Sequence, residues 1–266
     1  MNSKLYKTLL VVLIVAFVLV GCGGQQAGSH LEQIKENGTM RVGTSADYPP
    51  FEYVDENGNK TGFDIELMEE IARRMELQIE WVDMPFDSLI AAVQENKIDL
   101  SISAFNYSED RDKNVDFTEP YFISEDSFMV VDGFSGQIAA PEDAANYIVG
   151  VQTGTTQDDW LTSNLVEPGL LPAENLFRYD RVDQAVLDLQ AGRIEVLMSD
   201  YVPAQALAQQ LGGMQIVYNG VLSSGPMNIV IPEGDTELAA ALNEIIQQLR
   251  EEGFIDQLAM KHIGAQ

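Results

Sequence analysis

The chain has 266 residues, of which 45% are hydrophobic, so it can bury a core as one large domain or two small ones. It carries 15 basic and 42 acidic residues, which gives a formal net charge of −27 and a pI near 4.1. A chain this acidic repels nucleic acid and anionic membrane surfaces, so we expect neither as a partner. The charge indicates a strongly solvated surface and says little about any pocket.

Residues 1–21 have the composition of a secretory signal peptide. Lys4 and Lys7 precede an uncharged apolar run at 9–20, which is too short to span a membrane comfortably. The run ends in Leu19-Val20-Gly21-Cys22, which looks like a lipobox, the bacterial signal for attachment of lipid to the cysteine. An incidental cysteine beside an ordinary cleavage site is the alternative. We expect an exported protein that is lipid-anchored to the bacterial cell membrane.

Cys22 is the only cysteine of the chain, so the sequence allows no intramolecular disulfide and no thiolate metal site. It also has no other metal-ligand spacing, no Gly-rich phosphate loop and no nucleophile motif, so we expect neither a metal nor a cofactor. The small and polar residues at 22–30 predict a flexible tether.

Beyond the tether, predicted helices and strands alternate. The spacing of apolar residues predicts helices at 31–37, 65–75 and 87–96, with strands at 40–43, 77–81 and 98–102. Asp64 is a candidate cap for the second helix. The pattern repeats with strands at 147–152 and 194–198, a helix from about 157 and another at 181–191. This alternation predicts an α/β fold with parallel sheets and helices on both faces.

The two halves of the pattern resemble each other at a constant offset of 96 residues. In both, a helix leads to a basic-Ile-acidic-apolar sequence, first Lys97-Ile98-Asp99-Leu100 and then Arg193-Ile194-Glu195-Val196. The repetition favours two α/β lobes, although short βα units also resemble one another by chance. Open sheets bind ligands beyond the carboxyl ends of their strands, so Arg111 and Asp200 would face each other across a cleft.

Arg111 is the candidate anion-binding residue of the first half. Ser108 is a favourable N-cap for a single turn that ends at Arg111, which would place a guanidinium beside free backbone N–H groups. Such a group suits a carboxylate. The alternative is a surface arginine paired with Glu109 or Asp110.

Asp200 is the candidate cation-binding residue of the second half. Thr155 and Thr156 add hydroxyls and helix N-terminal amides beside it. A zwitterion satisfies both halves, because its carboxylate would bind Arg111 and its ammonium would bind Asp200.

Several ordered motifs resemble the family 3 extracellular solute-binding proteins, the polar amino-acid receptors of bacterial ABC importers. They include Gly62-Phe63-Asp64-Ile65-Glu66-Leu67, Tyr48-Pro49-Pro50-Phe51-Glu52 and Asp116-Phe117-Thr118. The resemblance covers residues 31–264 and implies a periplasmic-binding-protein-like fold of type II, with two hinged lobes around a ligand cleft. It implies that the protein works as a monomer with the permease of an ABC transporter.

The resemblance also implies a binding role for individual residues. Arg111 would hold the α-carboxylate and Asp200 the α-ammonium. Tyr48 and Phe86 would sandwich the ligand side chain, although either aromatic ring is also a candidate for plain core. The remaining implied contacts are the main chain of Ala104 and Asn106, the side chains of Asn106, Thr155 and Thr156, and Ser45, Asp47 and Ser103 at the far end.

The ligand side chain stays open at this point. Asn106 stands where the family usually has Thr or Ser, and Ser45 stands where some receptors for basic amino acids place an acid. Arginine or lysine would suit Asp47 and the two aromatic rings, whereas glutamine or histidine would suit the hydroxyl and amide groups. We favour a basic amino acid.

The lobes are predicted to be 31–125 plus 226–266 for lobe one and 126–225 for lobe two. The two connecting strands should lie near 125–127 and 224–227, and the helices predicted at 237–252 and 254–263 should return to lobe one.

Two other functions share this fold. An enzyme similar to cyclohexadienyl or arogenate dehydratase would use Asp200 as an acid, but the chain has only His30 and His262 as histidines. The sensor module of a receptor kinase would need a membrane span after residue 263. We expect an extracytoplasmic binding protein and no enzymatic activity.

Overall fold

The computed structural model describes residues 29–223 and 225–264, which form a mixed α/β fold of two lobes, each built on one β-sheet. The predicted signal peptide, Cys22 and most of the predicted tether lie outside the described residues. Ser29 and His30, assigned to the tether by sequence, belong to the first helix instead. The Ser29 hydroxyl accepts the N–H of Glu32, and the Glu32 carboxylate accepts the N–H of Ser29, so this capping box starts the helix at His30.

The first sheet has the strand order β5-β1-β6-β14-β7, with β8 also paired to β14. Strand β1 is parallel to β5 and β6, whereas β14 is antiparallel to its neighbours. A small antiparallel sheet, β2-β3-β4, lies beside it. The strands of these two sheets are β1 (Thr39–Thr44), β2 (Asp47–Tyr48), β3 (Glu52–Val54), β4 (Lys60–Thr61), β5 (Gln78–Asp83), β6 (Leu100–Asn106), β7 (Asp116–Phe117), β8 (Phe122–Ile123) and β14 (Pro226–Ile231).

The second lobe contains a sheet of order β11-β10-β12-β9-β13. Strand β10 is parallel to β11 and β12, and β9 is antiparallel to β12 and β13. The strands are β9 (Asp126–Val131), β10 (Val149–Gln152), β11 (Leu176–Tyr179), β12 (Val196–Asp200) and β13 (Met214–Gly220). The prediction of an α/β fold is confirmed, but the prediction that the sheets are purely parallel is wrong. Strands β9 and β14 each enter directly from the other sheet, without the long crossover that a parallel neighbour requires.

Eight α-helices are present in the described part of the chain, together with short 3₁₀ segments at Phe86–Ser88, Pro141–Asn146 and Ala173–Asn175 and a π-helical segment at Thr162–Val166. None of the described helices is long and apolar enough to cross a membrane. The helices are α1 (His30–Asn37), α2 (Phe63–Arg74), α3 (Leu89–Gln94), α4 (Thr156–Leu161), α5 (Val182–Gln190), α6 (Tyr201–Leu211), α7 (Thr236–Glu251) and α8 (Phe254–His262).

Two short segments connect the sheets, one between β8 and β9 and one between β13 and β14. After the second segment, α7 and α8 pack against α2 and therefore lie with the first sheet. Leu242, Ile246 and Leu249 of α7 are fully buried, because their spacing places them on one helical face. We propose 31–125 plus 226–266 and 126–225 as the boundaries of the lobes.

Candidate functional site

A narrow cleft lies between the lobes, where the carboxyl ends of four strands approach one another. Strands β1 and β6 lead into it from the first sheet, and β10 and β12 from the second. All the predicted binding residues except Thr156 line it, and Glu52, Gln152 and Gln157 line it as well. The lining is Ser45, Asp47, Tyr48, Glu52, Phe86, Ser103, Ala104, Asn106, Arg111, Gln152, Thr155, Gln157 and Asp200.

Arg111 lies in the turn that follows β6. The Ser108 hydroxyl accepts the N–H of Arg111 at 3.3 Å, so Ser108 caps this turn as its sequence predicts. The interpretation of Arg111 as a surface partner of Glu109 or Asp110 is wrong, because the residue is buried and Asp110 pairs with Lys113 at 2.5 Å instead.

The Arg111 guanidinium connects both lobes. Its Nη1 donates to the carbonyl of Asn106 at 2.7 Å, and its Nη2 donates to the carbonyl of Gly154, in the second lobe, at 2.9 Å. Its Cζ lies 5.4 Å from the ring centroids of Phe86 and Phe105, which stack on each other. Burial lowers the pKa of Arg111 to about 10, so the group stays charged at neutral pH.

Asp200 ends β12 on the opposite side of the cleft. Its Oδ1 accepts the Ser124 hydroxyl at 2.6 Å, and its Oδ2 accepts the Tyr48 hydroxyl, from the first lobe, at 2.7 Å. The Tyr48 oxygen also accepts the N–H of Asp200 at 3.0 Å. Burial and the charge of Asp200 raise the pKa of Tyr48, so the phenol stays a donor. Tyr48 therefore offers the cleft both a ring and a hydroxyl.

The threonines at the start of α4 have different environments. Thr155 is the N-cap of α4: its hydroxyl accepts the N–H of Asp158 at 3.2 Å and donates to the carbonyl of Gln152 at 2.8 Å. Thr156 lies outside the lining, but its hydroxyl donates to the Asn106 amide oxygen across the cleft at 3.4 Å. Both residues lie at the start of a helix, as the sequence predicts. The Thr155 hydroxyl caps the helix, whereas the Thr156 hydroxyl bonds to the other lobe.

Ser45, Ser103 and Asp47 form a hydrogen-bonded group at the other end of the cleft. The Ser45 hydroxyl donates to Asp47 at 2.7 Å, and the Ser103 oxygen accepts the Ser45 N–H at 3.0 Å. Burial raises the pKa of Asp47 to about 6 against the effect of these hydrogen bonds. The Ser103 hydroxyl continues the network by donating to Glu52 at 2.8 Å.

Glu52 is the main site residue that sequence reasoning missed. It interacts with Asp64, and neither Glu52 Oε2 nor Asp64 Oδ1 accepts from any other protein donor, although both atoms are buried. Two ionised carboxylates cannot donate to each other, so a hydrogen bond between these two side chains requires a proton on one of them. Burial raises the pKa of Glu52 well above its usual range and that of Asp64 to about 6.

Asp64 does not cap α2 as predicted. The N-cap is Gly62, and Asp64 points into the core, where its Oδ2 accepts the Tyr121 hydroxyl and the N–H of Ala104, each at 2.7 Å. Ala104 has a φ of 48°, a left-handed conformation that costs an alanine roughly 1–2 kcal/mol and persists when surrounding contacts hold it. The acid pair therefore supports the strand end from which the cleft is built.

The arrangement supplies opposite charges from opposite lobes. A carboxylate that entered the cleft would compete with two carbonyls for Arg111, and an ammonium would compete with hydroxyl donors for Asp200. Within residues 29–223 and 225–264, no group of three or more His, Cys, Asp or Glu side chains is arranged to hold a metal ion. The geometry suits recognition of a small zwitterion.

The chain is similar to known proteins in both sequence and structure. Residues 40–265 match the family described as bacterial extracellular solute-binding proteins, family 3. The L-cystine-binding protein TcyJ of Escherichia coli is 28% identical over 88% of this chain and 86% of that protein. The L-arginine-binding protein of Pseudomonas aeruginosa is 30% identical over 85% of this chain and 88% of that protein. A mutant of ArgBP from T. maritima has a solved structure with a TM-score of 0.83 and 35% identity, which covers 89% of this chain and 100% of that one.

Proposed function

The chain belongs to the bacterial extracellular solute-binding proteins of family 3, and from this premise we propose that it captures a free amino acid and delivers it to an ABC importer. The observation that carries the proposal is the placement of Arg111 and Asp200 on opposite sides of one cleft. A free amino acid carries both complementary charges, on groups bonded to the same carbon atom. It would therefore contact both lobes at once and stabilise their closed arrangement.

We propose a basic amino acid as the ligand. The Tyr48 and Phe86 rings line the cleft and would make cation–π contact with a basic side chain. The relative from Pseudomonas aeruginosa is named for arginine, which supports the same choice.

A thermal-shift screen of the twenty amino acids tests the proposal. A ligand at a hundred-fold excess over its Kd stabilises the folded state by about 2.7 kcal/mol, which should raise the melting temperature by roughly 5–10 °C. We expect the largest shifts with arginine and lysine. A screen in which no amino acid raises the melting temperature would contradict capture of a free amino acid. The largest shift with glutamine or histidine would contradict only the basic preference.

Binding without turnover separates this proposal from an enzyme of the same fold. The named relatives are binding proteins. We expect arginine or lysine to be recovered unchanged after prolonged incubation with the purified protein. A new product detected by mass spectrometry would support the dehydratase-like alternative with Asp200 as the acid.

We further propose that lipid on Cys22 anchors the protein outside the cytoplasm. The motif Leu19-Val20-Gly21-Cys22 supports this proposal. Cys22→Ala should release the protein from membranes and leave amino-acid binding intact. A variant that stays in the membrane fraction after a carbonate wash would contradict lipid anchoring.

A further inference from the structure

A second set of contacts crosses the cleft without using the proposed amino-acid anchors. Asp47 lies in β2 of the first lobe, and its Oδ2 accepts the N–H of Val182 at 2.5 Å. Val182 is the first residue of α5, in the second lobe. The N-cap residue of α5, Arg181, makes no side-chain capping hydrogen bond. Asp47 therefore caps this helix from the opposite lobe, where a carboxylate also interacts favourably with the helix dipole.

Arg181 crosses the cleft in the reverse direction. Its Nη2 lies 3.9 Å from Asp47 Oδ1, and its Nη1 lies 3.5 Å from Asp83 Oδ1. Asp83 ends β5 and also accepts the N–H of Ala46 at 3.2 Å. One cation of the second lobe thus faces two carboxylates of the first.

The Asp47 carboxylate is already engaged by protein groups. Its side chain is fully buried, and it interacts with the Ser45 hydroxyl, the Val182 N–H and the Arg181 guanidinium. Two of these groups belong to the second lobe and would move away if the lobes separated. Burying a carboxylate is unfavourable unless such partners offset its lost hydration. In the closed arrangement, partners from the second lobe therefore offset the lost hydration of Asp47.

We propose that Asp47 and Arg181 form a latch between the lobes, and that it stabilises the closed arrangement whatever the side chain of the bound amino acid. The latch depends on the proposed function only because one of its two tests measures amino-acid affinity. A protein whose closed arrangement is less populated binds more weakly in proportion to that population, even when its ligand contacts are unchanged. Asp47 is then a positioning residue rather than the counter-charge for a basic side chain.

The two roles of Asp47 predict different ligand dependence. A latch acts on every ligand equally, whereas a counter-charge acts on cationic ligands alone. L-arginine and L-citrulline separate them, because citrulline has nearly the same shape and a neutral end group. Arg181 gives the cleaner variant, since it does not line the cleft.

The test measures the Kd of L-arginine and of L-citrulline by calorimetry for wild type and Arg181→Ala. Arg181→Ala removes the ion pair with Asp47 and the charged hydrogen bond to Asp83, so it should weaken both affinities by roughly ten-fold to a hundred-fold, and by the same factor for each. Asp47→Asn keeps the shape of the side chain and one of its two acceptor oxygens. It should therefore weaken the affinities for both ligands by the same factor, which should be smaller than for Arg181→Ala. Arg193→Ala is the matched control, because Arg193 follows the same helix, pairs with Asp188 and is 62% exposed. It should change neither affinity.

A loss confined to arginine would overturn the latch, as would unchanged affinities in Arg181→Ala. Small-angle scattering without added amino acid provides a second measurement. The latch predicts a larger radius of gyration for Arg181→Ala than for wild type, and equal radii would overturn it. If wild type binds neither probe, the basic preference of the proposed function fails, and scattering alone decides the latch.

Discussion

Strands β6 and β12, one from each lobe, have the same local hydrogen bonding and strand pairing where they begin. They differ in the residues that follow their carboxyl ends. In both lobes an acid just before the strand accepts a backbone N–H from the neighbouring chain segment. Asp99 accepts from Arg41, within β1, at 2.7 Å, and Glu195 accepts from Ile148, just before β10, at 2.9 Å. In both, the neighbouring strand is parallel and pairs the same way, with Val42 opposite Leu100 and Val149 opposite Val196.

The difference begins where each strand ends. Strand β6 continues to Asn106 and into a turn that carries Arg111. Strand β12 ends at Asp200, and α6 starts at Tyr201 without a connecting loop. The common strand pairing determines where each strand ends at the cleft. The residues that follow determine whether a positive or a negative side chain lies there. Equivalent strand ends can therefore lead to side chains of opposite charge.

The largest expected effect is at the charged ends themselves. Truncating one partner of a desolvated charge pair costs about 2–5 kcal/mol, so Arg111→Ala should weaken amino-acid affinity by roughly thirty-fold to several thousand-fold. Asp200→Ala should do comparable damage through the ammonium. Calorimetry with the amino acid that gives the largest thermal shift measures both. Lys113→Ala is the matched control, since Lys113 lies in the same turn, pairs with exposed Asp110 and should have almost no effect.

Ligand analogues identify which end each residue binds. Wild type should discriminate strongly against the decarboxylated amine, and Arg111→Ala should lose most of that discrimination. An Arg111→Ala affinity within a few-fold of wild type would mean that the proposed carboxylate site is elsewhere.

The similarity of the two lobes can be tested at Gly43 and Gly150, where an isoleucine side chain packs closely against the glycine in each lobe. A Cβ atom at Gly43 would lie 2.4 Å from Ile98 Cδ1, and one at Gly150 would lie 2.3 Å from Ile194 Cδ1. Overpacking of this kind costs about 1–3 kcal/mol, so Gly43→Ala and Gly150→Ala should each lower the free energy of unfolding by a similar amount. Urea denaturation measures it.

The crowded atom can be removed to check the cause. Ile98→Val deletes the methyl group that a Cβ at Gly43 would meet, and Ile194→Val does the same beside Gly150. Each Gly→Ala change should therefore cost less in the matching valine background. Strictly additive costs in either lobe would show that the isoleucine methyl group is not the cause of the destabilisation there.

The sequence predicts these strand ends well, because each depends on residues that are close in the chain. An apolar run followed by small polar residues is sufficient to locate Asp200, and a serine cap is sufficient to suggest the turn at Arg111. The family resemblance and the two-lobe fold are confirmed for the same reason, since they rest on several local motifs.

Contacts between distant segments could not be predicted in this way. Asp47 and Val182 are 135 residues apart, and no local pattern indicates that they meet. Glu52 and Asp64 resemble ordinary polar residues in the sequence, and only tertiary packing buries both and raises the pKa of Glu52. The antiparallel pairing of β9 and β14 was missed because it depends on the route of the chain between lobes.

The acids that begin the two strands should differ in their contribution to stability. Asp99 also binds the Arg41 guanidinium at 3.2 Å, whereas Glu195 is exposed. Burial would raise the pKa of Asp99, but hydrogen bonds from His30 and Arg41 outweigh it and lower the pKa to about 2. We expect Asp99→Asn to cost about 1–2 kcal/mol at pH 7 and Glu195→Gln to cost less than about 0.5 kcal/mol.

The pH dependence of the Asp99 effect has a definite sign. Because the folded pKa is depressed, the contribution is present above the unfolded value of 3.8 and disappears as pH falls through about 2. Urea denaturation of wild type and Asp99→Asn at pH 7 and near pH 3 should show the difference shrinking at the lower pH. Equal costs for Asp99→Asn and Glu195→Gln at pH 7 would contradict the contrast between the lobes.

The smallest expected effect comes from His30, which has no counterpart beside Glu195. Its ring lies between Asp99 and Asp235, with Nδ1 2.7 Å from Asp235 and Nε2 3.4 Å from Asp99. Hydrogen bonding to Asp99 and then to Asp235 raises the pKa of His30 above 6.5, against the effect of burial. A raised folded pKa gives stability that is fully present below the unfolded pKa and is lost as pH rises through the folded one.

The wild-type free energy of unfolding should therefore exceed that of His30→Gln at pH 6, by less than about 1 kcal/mol because the ring keeps solvent contact. The difference should shrink as the pH rises through the raised pKa of His30. His262 has a pKa lowered by burial, but it is present in both proteins and cancels from the difference. The same comparison in an Asp99→Asn background should give a smaller difference at pH 6. A difference that grows with rising pH would mean that His30 is bound in its neutral form and that Asp99 is held by Arg41 alone.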